Sequence, residues 1–126
     1  MKALVYLGPE RMEIQSVPEP APRQGEVLVG VSAAGVCGSD LHGFLGHSAR
    51  RKPGLVMGHE AVATVLEVPS SVAGWRKGQR VSFNPLVSCG QCRACLDGRQ
   101  NLCPTWWLFG MDRVQGTYAE RVAVPV

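Results

Sequence analysis

The segment CGQCRACLDGRQNLCP carries four cysteines at short intervals, namely Cys89, Cys92, Cys95 and Cys103. Their spacing, C-x2-C-x2-C-x7-C, returns successive thiolates to one side of a tight turn, and the longer arm then closes a tetrahedron around one ion. Four protein ligands leave no open position, so a zinc ion held in this way is structural. The spacing therefore predicts a loop that is held together by zinc, because the loop has few apolar residues to pack.

Two other uses of these cysteines are alternatives to zinc. Bacterial ferredoxins bind iron–sulfur clusters through C-x2-C-x2-C-x3-C-P, and Cys103 is likewise followed by a proline. The last spacing here is seven rather than three, however, and the sequence has no second cluster motif. Disulfides are disfavoured because five cysteines are an odd number and the N-terminus lacks the apolar core of a signal peptide. Zinc is the favoured interpretation, with an iron–sulfur cluster as the runner-up.

The fifth cysteine, Cys37, lies in the segment GVCGSDLHG, where Ser39, Asp40 and His42 follow it closely. In one interpretation Ser39 or Asp40 caps a short helix, Cys37 is a small buried residue and His42 is exposed to solvent. In the other, a helix N-terminus beside Cys37 lowers the pKa of its thiol and prepares it to bind a metal. These residues by themselves leave both interpretations open.

A histidine and a glutamate, His59 and Glu60, open the apolar segment MGHEAVATV. Both side chains are unfavourable to bury without a partner. In an ideal strand they point to opposite faces, so both can approach one metal only if Gly58 bends the backbone. The pattern predicts His59 as a metal ligand, and Glu60 as an alternate ligand or as a group beside the metal.

These polar groups must be positioned by a mainly β chain, because apolar or alternating segments recur between closely spaced glycines and prolines. That pattern is typical of a small barrel or sandwich. The segment 12–16 indicates a half-buried strand through Met12 and Ile14, and the segment 59–68 indicates a buried one. The other expected strands are 2–7, 26–36, 80–85 and 116–125, with short helices after Cys37 and around 93–98.

The composition excludes several classes of function. A chain of 126 residues, with 45% hydrophobic residues and a mean hydropathy of +0.02, fits one soluble domain. No segment reaches the roughly 18 apolar residues of a membrane span. The only basic run, at 50–52, predicts a solvated loop and is too small for a nucleic-acid-binding face. Neither G-x-G-x-x-G nor a phosphate-binding loop is present, so the chain shows no dinucleotide site of its own.

Taken together, the motif-bearing segments resemble the zinc-containing medium-chain alcohol dehydrogenase family, in particular its polyol, sorbitol and threonine dehydrogenase-like branch. These segments are GVCGSDLH (35–42), GHEAVATVLEV (58–68), KGQRVSFNPLVSCGQCRACLDGRQNLC (77–103) and GTYAERVAVP (116–125). The resemblance implies that residues 1–126 form the family's N-terminal catalytic domain, a GroES-like, partly open β-barrel with short helices. A zinc-bound cysteine lobe would span about residues 85–110. The Rossmann cofactor domain and the third protein ligand of the catalytic zinc would lie beyond Val126.

The resemblance also implies the metal ligands. Cys37 and His59 would bind a catalytic zinc, and Glu60 would lie beside it, able to approach the metal. Asp40 would accept a hydrogen bond from the His59 ring and thereby select its tautomer. The four cysteines of the segment 89–103 would bind the structural zinc.

The activity implied by the resemblance is Lewis-acid oxidation of a small alcohol or polyol, with hydride transfer to NAD or NADP in the full-length enzyme. Ser39 and His42 would pass the hydroxyl proton of the substrate towards solvent. The isolated chain would be inactive, and the full-length enzyme would be a cytoplasmic homodimer or homotetramer without nucleic-acid or membrane partners. The alternatives are a non-enzymatic GroES-like binding module with one structural zinc, and a small iron–sulfur electron-transfer protein.

Overall fold

The computed structural model describes residues 1–111 and 115–126, and it confirms the mainly β architecture. The strands are β1 (Lys2–Gly8), β2 (Arg11–Ser16), β3 (Glu26–Gly35), β4 (Glu60–Glu67), β5 (Arg80–Ser82), β6 (Leu86–Val87), β7 (Trp107–Leu108) and β8 (Arg121–Pro125). The helices are α1 (Gly38–Phe44) and α2 (Arg93–Leu96), and a 3-10 turn spans Gln100–Leu102. In the part of the chain that the structure describes, no helix has the length and apolar character needed to cross a membrane.

The strands pair into three antiparallel sheets. The central sheet has the strand order β5-β4-β3-β8, and the pairs β1–β2 and β6–β7 form two small sheets beside it. Within the described residues these sheets do not join into one closed ring of hydrogen-bonded strands. The expectation of a partly open barrel is therefore confirmed.

The main core lies on one face of the central sheet, where alternate residues of β3, β4 and β8 meet. Its buried members are Val27, Val29, Ala63, Val65, Phe109, Val122 and Val124. The members in β3, β4 and β8 alternate along each strand because successive side chains of a strand point to opposite faces of the sheet, and Phe109 packs against them from outside the strands. Since a shift of one residue would turn these side chains to solvent, the core also determines the register of β3 against β4.

Two predicted burial patterns need correction. The segment 59–68 reads as a buried strand, but β4 buries alternate residues only, and Val62 is 40% exposed on the other face. An antiparallel sheet with one open face gives this pattern. The segment 12–16 forms β2 as expected, but Ile14 is 73% exposed. The reason is that β2 pairs only with β1, and it is β1 that is bridged to other segments, through Ala3 and Val5.

Candidate metal centres

The ends of two neighbouring strands bring Cys37 to the histidine–glutamate pair. β3 ends at Gly35, which lies directly opposite Glu60, the first residue of β4. The chain then enters α1, and Cys37 is the N-cap residue of that helix. A Cβ atom on Gly35 would lie 2.8 Å from Glu60 Oε2, so the glycine makes room for this carboxylate. As a result, the ligand atoms of Cys37, His59 and Glu60 lie within 4.8 Å of one another.

Gly58 supplies the backbone bend that both side chains need in order to face Cys37. Its φ is +89°, in the left-handed region that favours glycine. Its carbonyl oxygen accepts a hydrogen bond from the Thr117 N–H at 2.9 Å. A Cβ on Gly116 would lie 2.3 Å from that oxygen, so the two segments pack backbone against backbone. This pairing also explains why β8 begins at Arg121 and not at residue 116, as the sequence pattern predicts.

We expect Gly58→Ala to destabilise the chain by about 3 kcal/mol, because left-handed strain adds to a steric clash. The added Cβ would lie 2.5 Å from the Tyr118 ring and 2.7 Å from Thr117 Oγ1. Gly54→Ala is the matched control, since Gly54 has a φ of +90° and open space around it. That control should lose only about 1 to 2 kcal/mol. Urea denaturation measures both values, and equal losses would contradict the packing argument.

Asp40 is next to this cluster and is buried, with 2% of its surface exposed. Its carboxylate accepts hydrogen bonds from two neighbouring groups. Its Oδ2 atom accepts hydrogen bonds from the Cys37 N–H at 3.2 Å and from the Tyr118 hydroxyl at 3.0 Å. Its Oδ1 atom lies 3.4 Å from His59 Nδ1, within ion-pair distance but without hydrogen-bond geometry. Asp40 therefore caps α1, as the first interpretation expects, although Cys37 is partly exposed and not buried. Asp40 also faces the His59 ring, but without the hydrogen bond that the resemblance implies.

Tyr118 acts as a fixed hydrogen-bond donor to Asp40. Burial, followed by the negative charge of the nearby Asp40 carboxylate and the hydrogen bond to it, raises the pKa of Tyr118 above its ordinary value. The phenol hence keeps its proton across the neutral range. The same hydroxyl also lies 3.2 Å from the Gly35 carbonyl oxygen, which links the end of β3 to this network.

Of the two expected proton-transfer residues, Ser39 lies at the cluster and His42 lies away from it. Ser39 Oγ lies 3.5 Å from His59 Nε2, directly at the cluster. His42 lies further along α1, is exposed, and its ring contacts His47 edge-on with the centroids 5.1 Å apart. The sequence offers no sign of this histidine pair, because the turn after α1 brings His47 back to donate its N–H to the His42 carbonyl oxygen.

The four remaining cysteines form a separate cluster in the lobe between β6 and β7. Their sulfur atoms lie within 4.8 Å of one another, and the Cys92–Cys95 and Cys89–Cys95 pairs are 3.5 and 3.9 Å apart. Tetrahedral zinc with bonds of about 2.3 Å separates its sulfur ligands by about 3.8 Å, so the spacing fits one ion. An iron–sulfur cluster seated between the same sulfurs would hold them further apart. All five cysteines are free of disulfides.

Backbone N–H groups favour the thiolate form at two of the lobe cysteines. The Cys89 N–H donates to Cys103 Sγ at 3.4 Å and is the main cause that lowers the pKa of Cys103 to about 6. The N–H groups of Gln91 and Cys92 similarly lower the pKa of Cys89. For Cys92, the Cys95 N–H acts in the same direction, but burial and hydrogen bonds with neighbouring thiols raise the pKa to about 11. Backbone N–H groups thus favour the thiolate, the form in which cysteine binds zinc, at Cys103 and Cys89.

Aromatic residues anchor the lobe to the core. Phe109, which follows β7, is fully buried. Its ring lies 5.2 Å from the Phe83 ring and 5.2 Å from the Trp107 ring, measured between centroids. The base of the lobe is therefore held by apolar packing, while its tip depends on the cysteines.

Sequence reasoning missed Arg51. The basic run at 50–52 predicts a solvated loop, but Arg51 is 4% exposed and its Nη2 atom lies 3.0 Å from Asp40 Oδ1. The physical reason is that a buried carboxylate is strongly destabilising without a cation, and Arg51 supplies that cation. Nothing in the spacing of these residues indicates the pairing, because it depends on how the chain returns after α1.

The fold and the two clusters define a class of protein. A partly open β domain carries one cluster of four cysteines and, apart from it, a cluster of sulfur, nitrogen and oxygen donors where β3 ends and β4 begins. The family model for the alcohol dehydrogenase GroES-like domain matches residues 23–126. The chain belongs to this family.

Individual relatives agree with this assignment. The chain is 40% identical to L-threonine 3-dehydrogenase from Xanthomonas oryzae pv. oryzae, over 99% of the chain and 38% of that protein. It is 38% identical to sorbitol dehydrogenase from Bacillus subtilis, over 97% of the chain and 35% of that protein. Among solved structures, a cobalt- and zinc-bound thermostable alcohol dehydrogenase from Pyrobaculum aerophilum superposes with a TM-score of 0.91 at 31% identity. That match covers 99% of the chain and 39% of the structure. The chain thus spans about two fifths of the length of these relatives.

Proposed function

We propose that this chain is the N-terminal catalytic domain of a zinc-dependent dehydrogenase that oxidises an alcohol or polyol with NAD or NADP. The observation that carries the proposal is the cluster of Cys37, His59 and Glu60. A few mixed donors are typical of a catalytic zinc site, which keeps a position for substrate, whereas four thiolates are typical of a structural site. The names of the relatives, which are threonine, sorbitol and alcohol dehydrogenases, support the same class of reaction.

The donor sets of both clusters fit zinc. Cys37 and His59 would hold the catalytic ion with Glu60 as a third or exchanging ligand, and the four lobe cysteines would hold the structural ion. At the first site zinc would supply a Lewis acid that lowers the pKa of an alcohol hydroxyl. Asp40 faces His59 Nδ1 and so leaves Nε2 to point at the cluster.

Ser39 and His42 would carry the proton that the alcohol loses. The Ser39 hydroxyl lies beside His59 Nε2, where a bound substrate oxygen would reach it. A hydroxyl can accept and donate at once, and an imidazole can take up a proton and release it to water. The exposed position of His42 on α1 supports its assignment as the outer member of this relay.

We infer a setting for the full-length protein as well. Residues 1–126 would form one GroES-like domain with its zinc lobe at about 85–110, and the nicotinamide would be bound elsewhere in a homodimer or homotetramer. The substrate would be a small molecule, with no nucleic-acid or membrane partner. Free thiols are kept reduced in the cytoplasm, so this compartment fits a protein whose five cysteines form no disulfides.

Metal content per chain, measured by plasma mass spectrometry together with a visible spectrum, tests the two-site assignment. Two zinc ions per chain are expected, one of them lost on His59→Ala. A single zinc that depends only on the cysteines of the segment 89–103 would favour the non-enzymatic module with one structural zinc. Iron with a brown colour would contradict the dehydrogenase assignment and favour the electron-transfer protein.

The isolated chain is expected not to oxidise alcohols, because its sequence has no G-x-G-x-x-G motif to bind a nicotinamide cofactor. Mixing it with NAD or NADP and a panel of alcohols and polyols should give no increase in reduced-nicotinamide absorbance. The full-length protein, assayed in parallel, is the positive control. Turnover by the isolated chain would contradict the assignment of the cofactor site to a separate domain.

A further inference from the structure

We propose that Arg51 is a positioning residue for the catalytic metal site, acting on His59 through the carboxylate of Asp40. This inference rests on the proposed function. The Arg51 Nη2 atom lies 3.0 Å from Asp40 Oδ1, and the same oxygen lies 3.4 Å from His59 Nδ1. The guanidinium and the imidazole therefore share one carboxylate oxygen. Any rotation of the Asp40 side chain would move the atom that faces His59.

The contact between Arg51 and Asp40 is shielded from water. The two side chains are 0% and 3% exposed, so water screens their attraction only weakly. Neither charged group can be hydrated by solvent in place of this contact. The second carboxylate oxygen is already engaged by the Cys37 N–H and the Tyr118 hydroxyl. Arg51 consequently completes a set of contacts that surrounds both oxygens of Asp40 and leaves it one orientation.

Arg51 is itself held at its far side. Its Nη1 atom donates to the Gly110 carbonyl oxygen, shortly after β7. Along its stem, the side chain lies against Gly43 of α1, where an added Cβ would come within 2.7 Å of it. A planar guanidinium can bond to Asp40 and Gly110 in two fixed directions, which a lysine ammonium cannot reproduce with the same geometry.

The charges of the site point to the same role. Asp40 and Glu60 are the acidic groups of the site, and Arg51 supplies the cation that lies against the buried one. Without Arg51 the site would retain excess negative charge, and Asp40 would be a buried carboxylate without its cation.

The test measures the second metal site directly in three variants of the chain. Arg51→Gln removes both the positive charge and the two fixed hydrogen-bonding directions of the guanidinium, whereas Arg51→Lys keeps the charge only. Arg50→Gln is the control and alters the neighbouring arginine, which stacks on Trp106. Zinc affinity is measured by competition with a chelator. The chain is also loaded with cobalt, and subtraction of the spectrum of cobalt-loaded His59→Ala isolates the bands of the second site.

We expect Arg51→Gln to weaken zinc binding at the second site by about 10- to 100-fold, the usual effect of losing a group that orients a metal ligand. Its cobalt bands should shift, Arg51→Lys should restore part of the affinity, and Arg50→Gln should match the parent chain. Two zinc ions with unchanged affinity and bands in both Arg51 variants would overturn the role of Arg51 and leave the proposed function intact. Only one zinc in the parent chain would overturn both. The lysine variant retains the buried charge, so its zinc affinity still tests the role of Arg51 if the glutamine variant fails to fold.

Discussion

Replacing Cys103 with serine is expected to remove one zinc ion per chain and to unfold the segment 89–103. Apolar packing cannot hold this segment, because its leucines, Leu96 and Leu102, are 73% and 58% exposed. Cys103 is the most buried of the four thiols and, with a pKa of about 6, is a thiolate at neutral pH. Zinc binding at such sites carries on the order of 10 kcal/mol of apparent free energy, so its loss should exceed what the remaining contacts supply.

Plasma mass spectrometry gives the zinc count, and limited proteolysis reports whether the lobe is open. Cys37→Ser is the matched control, because it removes a thiol of the same type from the other cluster. The control should also lose one zinc, yet its lobe should resist cleavage as the parent chain does. A Cys103→Ser chain that keeps two zinc ions and a protease-resistant lobe would contradict the structural-zinc assignment.

Replacing His59 with alanine is expected to abolish the second zinc and, in the full-length enzyme, to lower kcat/KM by about a thousandfold or more. His59 is 7% exposed and is the one nitrogen donor of its cluster among the described residues. Without the imidazole, Cys37 and Glu60 are two donors that no longer surround an ion. Under the proposed function, the Lewis acid would therefore be lost together with its ligand.

Zinc stoichiometry of the chain and steady-state kinetics of the full-length enzyme check this expectation independently. His47→Gln is the control, since it removes a histidine that is exposed and lies outside the metal cluster. It should retain two zinc ions per chain. If His59→Ala retains the second zinc and the activity of the parent enzyme, the assignment of the catalytic site is wrong.

Local features could be predicted from the sequence because neighbouring residues determine them. The spacing of the four lobe cysteines brings their sulfurs together through one short helix and one turn, and the structure has them within 4.8 Å. The mainly β class follows from residue alternation in the same way. The requirement for a bend at Gly58 was also predictable, because the alternation of a strand separates His59 from Glu60.

Burial was predicted less well, because it depends on which face of a sheet is covered. Ile14 has the sequence pattern of a half-buried strand, yet nothing in the described part of the chain covers it to that extent. Arg51 shows the opposite error, since a basic run is usually solvated but this member of it is buried. A sequence pattern gives the period of a strand or the charge of a loop, and packing decides which residues meet water.

The sequence by itself determined the cluster of four cysteines in the lobe, the β class and the residue types of the second cluster. Only the tertiary structure decided that Cys37 meets His59 and Glu60, because β3 and β4 must first pair in a register that places Gly35 opposite Glu60. It also decided the surroundings of Asp40, because Tyr118 is 78 residues away in sequence and Arg51 reaches Asp40 only when the chain returns after α1. Contacts of this kind cannot be predicted from the spacing of residues in the sequence, because they form only after core packing has set the positions of the strands.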